Sequence, residues 1–324
     1  MAQTVTESIS TVDYHTGGEP FRIVTAGVSL PAGETMLAKR AWAEEHLDRT
    51  RRLLVQEPRG HADMYGCFLA APVDSGAQLG VLFFHNAGFS TACGHGTIAL
   101  VTWALESGRV PRPERCDEAE VVVDVPSGRL RTWARLKDGD VTSVRFRNVA
   151  AFVLRRSVPV AGMKVDVAYG GAFYAIAPAP VRIAAQNLDR LVAAGREVKA
   201  ALNARGGIVH PLEPELRDIY GVIWTQGERN VTIFANGEVD RSPCGSGTSA
   251  RLALLHASGE LAAGEVLKHR SIVDSEFTGR VVAETEVAGV PAVVTEVEGS
   301  AYLTGRHEFI LRSDDPLGTG FQLR

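Results

Sequence analysis

Apolar positions along the chain follow two different periods. Residues 21–30, "FRIVTAGVSL", form a short apolar block that predicts a buried strand, whereas 35–56, "TMLAKRAWAEEHLDRTRRLLVQ", spaces its apolar residues as a helix does. Strand-like blocks return at 64–73 and 78–86, and the chain then reads "ACGHGTIALVTWALESG" over 92–108. The glycine turn opens a run that is apolar on nearly every side until Ser107-Gly108 stops it. A helix with no polar face has nothing to offer water and is predicted to be buried all round.

From about 120 to 175 the pattern turns to strands, "EVVVDV", "GRLRTWARL", "VTSVRFRNVAAFVL" and "VDVAYGGAFYAIA", separated by Pro, Gly and Asp-Gly turn signals. A helix over about 186–204 and the strands "IYGVIWTQ" and "NVTIFANG" follow, and "PCGSGTSARLALLHASGEL" at 243–261 predicts a second buried helix. Strands at "RSIVDSEFTGRVVAETEV", "VPAVVTEVEGSAYLTG" and "HEFIL" close the chain. The order strand, polar loop, cysteine, glycine turn, buried helix thus occurs twice: "GVLFFHNAGFSTACGHGT" at 80–97 parallels "NVTIFANGEVDRSPCGSGT" at 230–248. Two similar halves facing each other explain the repetition. The expected class is α/β (α+β), each half a strand-rich, barrel-like shell around one central helix. The expected halves are 1–130, with the tail 303–324 returned to it, and 131–302.

A length of 324 residues suits two domains with a cleft between them. The formal charge of −4 offers no basic stripe, which argues against nucleic acid or an anionic membrane as partner. The polar start "MAQTVTESIS" has no apolar core for a signal sequence, and no run of apolar residues is long enough to span a bilayer, so a cytoplasmic protein is expected. In that compartment Cys67, Cys93, Cys116 and Cys244 need form no bridges, and at least two are expected to be free.

The repeated pentads, Cys93-Gly94-His95-Gly96-Thr97 and Cys244-Gly245-Ser246-Gly247-Thr248, carry the candidate chemistry. A helix start presents unpaired N–H groups and the positive end of its dipole, which favour a nearby anion, so each cysteine has a route to a lowered pKa. The same N–H groups suit a substrate carboxylate. Two sulfurs flanking one molecule provide what inversion at carbon needs: one removes a proton as thiolate, the other delivers one to the opposite face as thiol. No cofactor or metal is required. A dinucleotide-binding reading of Gly94-x-Gly96-x-x-Ala99 and Gly245-x-Gly247-x-x-Ala250 is disfavoured, since a polar loop and a cysteine separate each glycine turn from its strand. Zinc on Cys93 and His95 departs from usual ligand spacing. Cys67 reads as a packing residue and Cys116 as a surface one, and His15 and His61 read at least as well as structural histidines.

Read together, "HTGGEP" at 15–20, "EPRGHADMYG" at 57–66, "CGHG" at 93–96, "DRSPCGSGTSAR" at 240–251, "SEFTGRV" at 275–281 and "GSAYLTG" at 299–305 resemble the proline racemase family of cofactor-independent racemases and epimerases, within the diaminopimelate epimerase-like fold. The resemblance implies Cys93 and Cys244 as the acid/base pair and Asp240 as the contact to the substrate amine. It also implies Gly94, His95, Gly245 and Ser246 lining the carboxylate site, with a small imino acid as substrate. Inversion of Cα of proline or 4-hydroxyproline is the expected activity. The trans-3-hydroxyproline dehydratases that the chain also resembles carry threonine at the position of Cys244, so Cys244 favours inversion and dehydration is the alternative. A non-catalytic imino-acid binding protein is the alternative of another class. The motifs leave open the choice among proline, 4-hydroxyproline and 3-hydroxyproline, and leave room for a homodimer.

Overall fold

The computed structural model describes residues 6–113 and 116–323. It opens with an antiparallel hairpin, β1 (Thr6–Thr16) and β2 (Glu19–Ala26), turned through Gly17 and Gly18 at positive φ. Two helices follow where the spacing over 35–56 predicts one: α1 (Met36–His46) and α2 (Asp48–Val55) are separated at Leu47, which is buried and non-helical at φ −115°. Each helix has its own start. The Thr35 hydroxyl accepts the Ala38 amide at 3.1 Å, and Asp48 places an acidic side chain in the first turn of α2.

β3 (Tyr65–Ala70), β4 (Leu79–His85) and the short β5 (Gly88–Ser90) are joined antiparallel and lead into α3 (Gly94–Glu106). β6 (Glu118–Val125), β7 (Gly128–Lys137), β8 (Asp140–Arg147), β9 (Ala151–Val160), β10 (Met163–Tyr169) and β11 (Phe173–Pro178) continue the chain up to α4 (Leu188–Arg205). β12 (Ile219–Gln226), β13 (Arg229–Phe234) and the short β14 (Glu238–Asp240) then repeat the antiparallel arrangement of β3–β5 and lead into α5 (Gly245–Ala257). β15 (Val266–Arg270), β16 (Glu276–Val287), β17 (Val290–Gly299) and β18 (Ala301–Arg312) complete an α+β fold in which all strands share one hydrogen-bonded network.

Both predicted central helices are enclosed. Every residue of α3 from Gly94 to Leu105 is buried, among Phe21, Val81, Phe83, Val121, Val144 and Phe146 of the surrounding strands. Residues Gly245–Ala253 of α5 are likewise buried, against Ala168, Tyr174 and Ile223 on one side and Val281 and Val293 on another. The shell of α3 therefore includes β8, beyond residue 130, and the chain end returns to the start as β18 pairs with β1 from Thr6↔Arg312 to Thr16↔Ala301. A separate core lies under α4, where the Trp224 indole donates to the Leu191 carbonyl at 3.0 Å.

Phe146, on β8, underlies the point where the two central helices begin. Its ring edge lies 3.0 Å from where a Cβ on either Gly94 or Gly245 would sit. Truncating it to alanine removes a fully buried ring beneath two backbone segments held by their own hydrogen bonds. Phe146→Ala is expected to cost about 3–5 kcal/mol, read as a lowered denaturant midpoint with unchanged slope. A loss under about 1 kcal/mol would mean that the junction does not rest on this ring.

Candidate active site

The two pentads come together, and each position in them has a physical reason. A Cβ on Gly94 would lie 2.4 Å from Gly245 Cα, and one on Gly245 would lie 2.6 Å from Gly94 Cα. The central helices thus meet backbone to backbone at their N-termini, which no larger residue permits. The second glycine of each pentad makes room for sulfur: a Cβ on Gly96 would fall 2.7 Å from Cys93 Sγ, and one on Gly247 2.9 Å from Cys244 Sγ. The threonines close the first turn, Thr97 Oγ1 donating to the Cys93 carbonyl at 2.8 Å and Thr248 Oγ1 to the Cys244 carbonyl at 2.7 Å.

The two cysteines are held differently. Cys93 caps α3 in an extended conformation, its Sγ accepting the Gly96 N–H at 3.2 Å and lying 3.4 and 3.5 Å from the two ring nitrogens of His95. Cys244 sits at φ 67°, a left-handed conformation unusual for a side-chain-bearing residue, and the loop before it supplies the restraint. Asp240 Oδ1 accepts from the Ser242 amide at 2.8 Å and hydroxyl at 2.7 Å, and Ser242 Oγ accepts the Cys244 amide at 3.1 Å. Asn230 donates to the Pro243 carbonyl at 2.8 Å. His269 Nδ1 lies 2.8 Å from Thr248 Oγ1, and because that hydroxyl already donates to Cys244, the imidazole is assigned as the Nδ1–H tautomer.

Cys93, Gly94, His95, Asp240, Cys244, Gly245 and Ser246, all the sequence candidates, line one tight cleft. Its walls also include residues that the motifs did not single out. Tyr65 stands edge-on to His95 with ring centroids 4.9 Å apart, and its hydroxyl bonds Ser90 and lies 3.0 Å from that of Tyr220. Tyr220 stacks on Phe234 at 5.7 Å. Tyr174 Oη lies 2.7 Å from Ser246 Oγ and accepts from Cys244 Sγ at 3.8 Å. Tyr65 belongs to a quoted motif and was there to be found, whereas Tyr174, Tyr220 and Phe234 read as ordinary strand aromatics. His15 and His61 lie outside the cleft, the first half-buried and accepting the Gly18 amide at 3.3 Å, the second exposed. Cys67 is buried in β3, Cys116 is exposed, and all four thiols are free. A larger depression beside α4, at Leu188, Val192, Arg196 and Leu323, gathers none of the candidates. Among the described residues no three metal-ligating side chains converge.

The electrostatics correct one expectation. Both cysteines are pushed up rather than down. Burial raises the Cys93 thiol well above its ordinary value, helped by the charges of Asp240, Cys244 and Glu19, and the Gly96 N–H only partly opposes it. Burial, then Asp240, raises Cys244 to about 12, against the Gly247 N–H and the hydroxyls of Thr232 and Tyr174. A helix end contributes up to about 2 kcal/mol, whereas burying an anion costs several. The helix ends act in the expected sense and are outweighed. Burial also raises Asp240 to about 6 despite its bonds to Ser242, and burial followed by the Arg241 charge lowers His95 to about 3, so that ring is neutral.

With both thiols protonated near neutrality, alkylation of Cys93 and Cys244 by iodoacetamide is expected to accelerate about tenfold per pH unit from about pH 7 to about pH 9. Peptide-resolved mass spectrometry measures this. A rate already flat at the lower end would show that one thiol is ionised in the resting protein.

A family model described as proline racemase matches residues 11–322. The chain is 46% identical, over 99% of both chains, to a protein named 3-hydroxyproline 2-epimerase from Burkholderia multivorans. It is equally 46% identical, again over 99% of both, to one named trans-3-hydroxy-L-proline dehydratase from Azospirillum brasilense. Among solved structures it resembles a hydroxyproline epimerase from Agrobacterium vitis crystallised with trans-4-hydroxy-L-proline, with a TM-score of 0.91 and 32% identity, covering 98% of this chain and 95% of that one. No helix among the described residues is long and apolar enough to cross a membrane.

Proposed function

The chain belongs to the proline racemase family, enzymes of the racemase and epimerase class in the diaminopimelate epimerase-like fold, and on that premise we propose that it inverts Cα of proline or a hydroxyproline with Cys93 and Cys244 as its acid/base pair. One observation carries the reading: two cysteines at abutting helix starts line a single cleft, beside a buried carboxyl at Asp240. The amides of the two glycine turns receive the substrate carboxylate, where charge grows as the α-proton leaves. Asp240 meets the cationic amine, and that amine offsets the charge by which Asp240 opposes ionisation of both sulfurs.

Turnover needs one thiolate and one thiol. The thiolate takes the α-proton, the opposite thiol gives its proton to the other face of the planar carbanion, and the enzyme is left with the two roles exchanged. Neutral His95, against Cys93 Sγ, can donate a ring N–H to that sulfur as it ionises. The two halves of the proposal are 1–130 with the tail 303–324, and 131–302; the pairing of β18 with β1 supports the return of the tail, and strands of the second half, including β8, contribute Val144 and Phe146 to the core around α3. A cytoplasmic setting is part of the same proposal and fits four unbridged thiols.

Dehydration of trans-3-hydroxy-L-proline is the second reading, favoured by the name of the Azospirillum relative at the same 46% identity. It needs a base on one face only, with the 3-hydroxyl leaving as water, and so gives no role to a second thiol. Cys244 therefore supports inversion.

Incubation with proline, 3-hydroxyproline and 4-hydroxyproline in D₂O is expected to place one deuterium on Cα of an inverted product, which a protein that only binds cannot do. Cys93→Ser and Cys244→Ser are each expected to lower inversion by at least about 100-fold. Cys244→Thr should do the same, while dehydration of trans-3-hydroxyproline persists or appears. Near wild-type inversion by Cys244→Thr would remove Cys244 from the chemistry.

A further inference from the structure

One buried carboxyl beside the cleft has no role in the steps above. Glu19, the first residue of β2, is fully buried. It comes from the first hairpin, whose turn rests on the second half: Ser275 Oγ donates to the Gly17 carbonyl at 2.7 Å, and a Cβ on Gly17 would lie 3.3 Å from Ser242 Cβ. Glu19 Oε2 accepts the Arg241 amide at 2.8 Å and Arg241 Nη1 at 3.3 Å, while Oε1 is buried with no hydrogen-bond partner. The amide it holds immediately follows Asp240. On the other side, Asp240 is fixed by Ser242. The loop that orients Asp240 is thus gripped from both halves.

The charges around this point do not balance. Glu19 and Asp240 are both buried and repel one another, and the cation facing them is Arg241, which divides itself with Asp63 at 3.7 Å and donates to the Asp63 carbonyl at 3.1 Å. Other titratable groups coupled to these charges are the thiols of Cys93 and Cys244 and the neutral His95. A second buried carboxylate without a second cation leaves room for one positive charge in the cleft. Burial and Asp240 push Glu19 well above the usual carboxylate range, so its ionised form is disfavoured in the free cleft and is drawn out when a cation shares the site, as expected for a pair short of a counter-charge.

We propose that Glu19 is a positioning residue for the imino-acid site: reaching across the junction of the halves, it fixes the Asp240–Arg241 peptide and adds the negative charge that makes the cleft select a ligand with a cationic amine. This rests on the role of Asp240 proposed above. A carboxylate-bearing ring without a cationic amine gains nothing from Glu19, whereas a zwitterionic imino acid does.

Two variants separate clamp from charge. Glu19→Ala removes both, and Glu19→Gln keeps an acceptor oxygen for the Arg241 amide but loses the charge. Hydrogen exchange of the peptide spanning Arg241 is expected to be at least about tenfold faster in Glu19→Ala and close to wild type in Glu19→Gln. In calorimetric titrations, Glu19→Gln is expected to weaken a hydroxyproline epimer by at least about tenfold while leaving pyrrole-2-carboxylate within about twofold or tighter. Unchanged exchange in Glu19→Ala overturns the clamp, and equal weakening of both ligands in Glu19→Gln overturns the charge role in favour of a structural one. If the wild-type protein binds neither ligand, the imino-acid reading fails together with the charge role, while the exchange experiment still decides the clamp.

Discussion

The backbone contact between Gly94 and Gly245 is the constraint on which the rest of the structure depends. Each central helix carries roughly half a positive charge at its first turn, and here two such ends meet at a buried point. Like ends facing each other are unfavourable unless an anion lies near both, and the substrate carboxylate proposed to bind there answers that need. Glycine at a helix start sacrifices up to about 1 kcal/mol of helix propensity, which buried packing on Phe146 offsets. The repeated pentad follows from this geometry. One half alone presents one helix end and one sulfur, whereas the two together present two of each, one sulfur for each face of the ring proposed to bind there.

The thiols show how large effects are ranked in such a site. Helix N–H groups favour the thiolate at both cysteines, but each sulfur is buried and shares its surroundings with Asp240. Desolvation wins, so the resting protein holds its thiols protonated. Under the role proposed for Asp240, ionisation becomes coupled to binding, since a cationic amine there would remove one of the charges that oppose it. On the proposed mechanism, such a cleft keeps its base in reserve until the substrate supplies the missing positive charge.

The parts of the fold that were legible in the sequence are those in which residue type and position are tied together. The two apolar-all-round helices could only be buried, and the glycines and threonines of the pentads are specific enough to place both helix starts and both cysteines. Other elements were hidden by ordinary-looking residues. β1 mixes polar side chains into its buried face, where Asp13 is matched by Arg22 at 2.7 Å, so it carries no apolar run to detect. α1 and α2 share one helical spacing, and their break at Leu47 leaves the periodicity intact. Glu19 and Tyr65 lay inside quoted motifs but carried no chemistry until the hairpin turn and β3 brought them to the junction. The direction of the cysteine shifts was misread because a helix start is visible in a sequence and the depth at which it is buried is not.

A crystal structure of the protein with pyrrole-2-carboxylate bound tests the central claim most directly. The account predicts the carboxylate between the amides of the two glycine turns, with Cys93 Sγ and Cys244 Sγ on opposite faces of the ring and each within about 3–4 Å of the carbon that corresponds to Cα. A ring with both sulfurs on one face, or one seated away from the pentads in the depression beside α4, would contradict it.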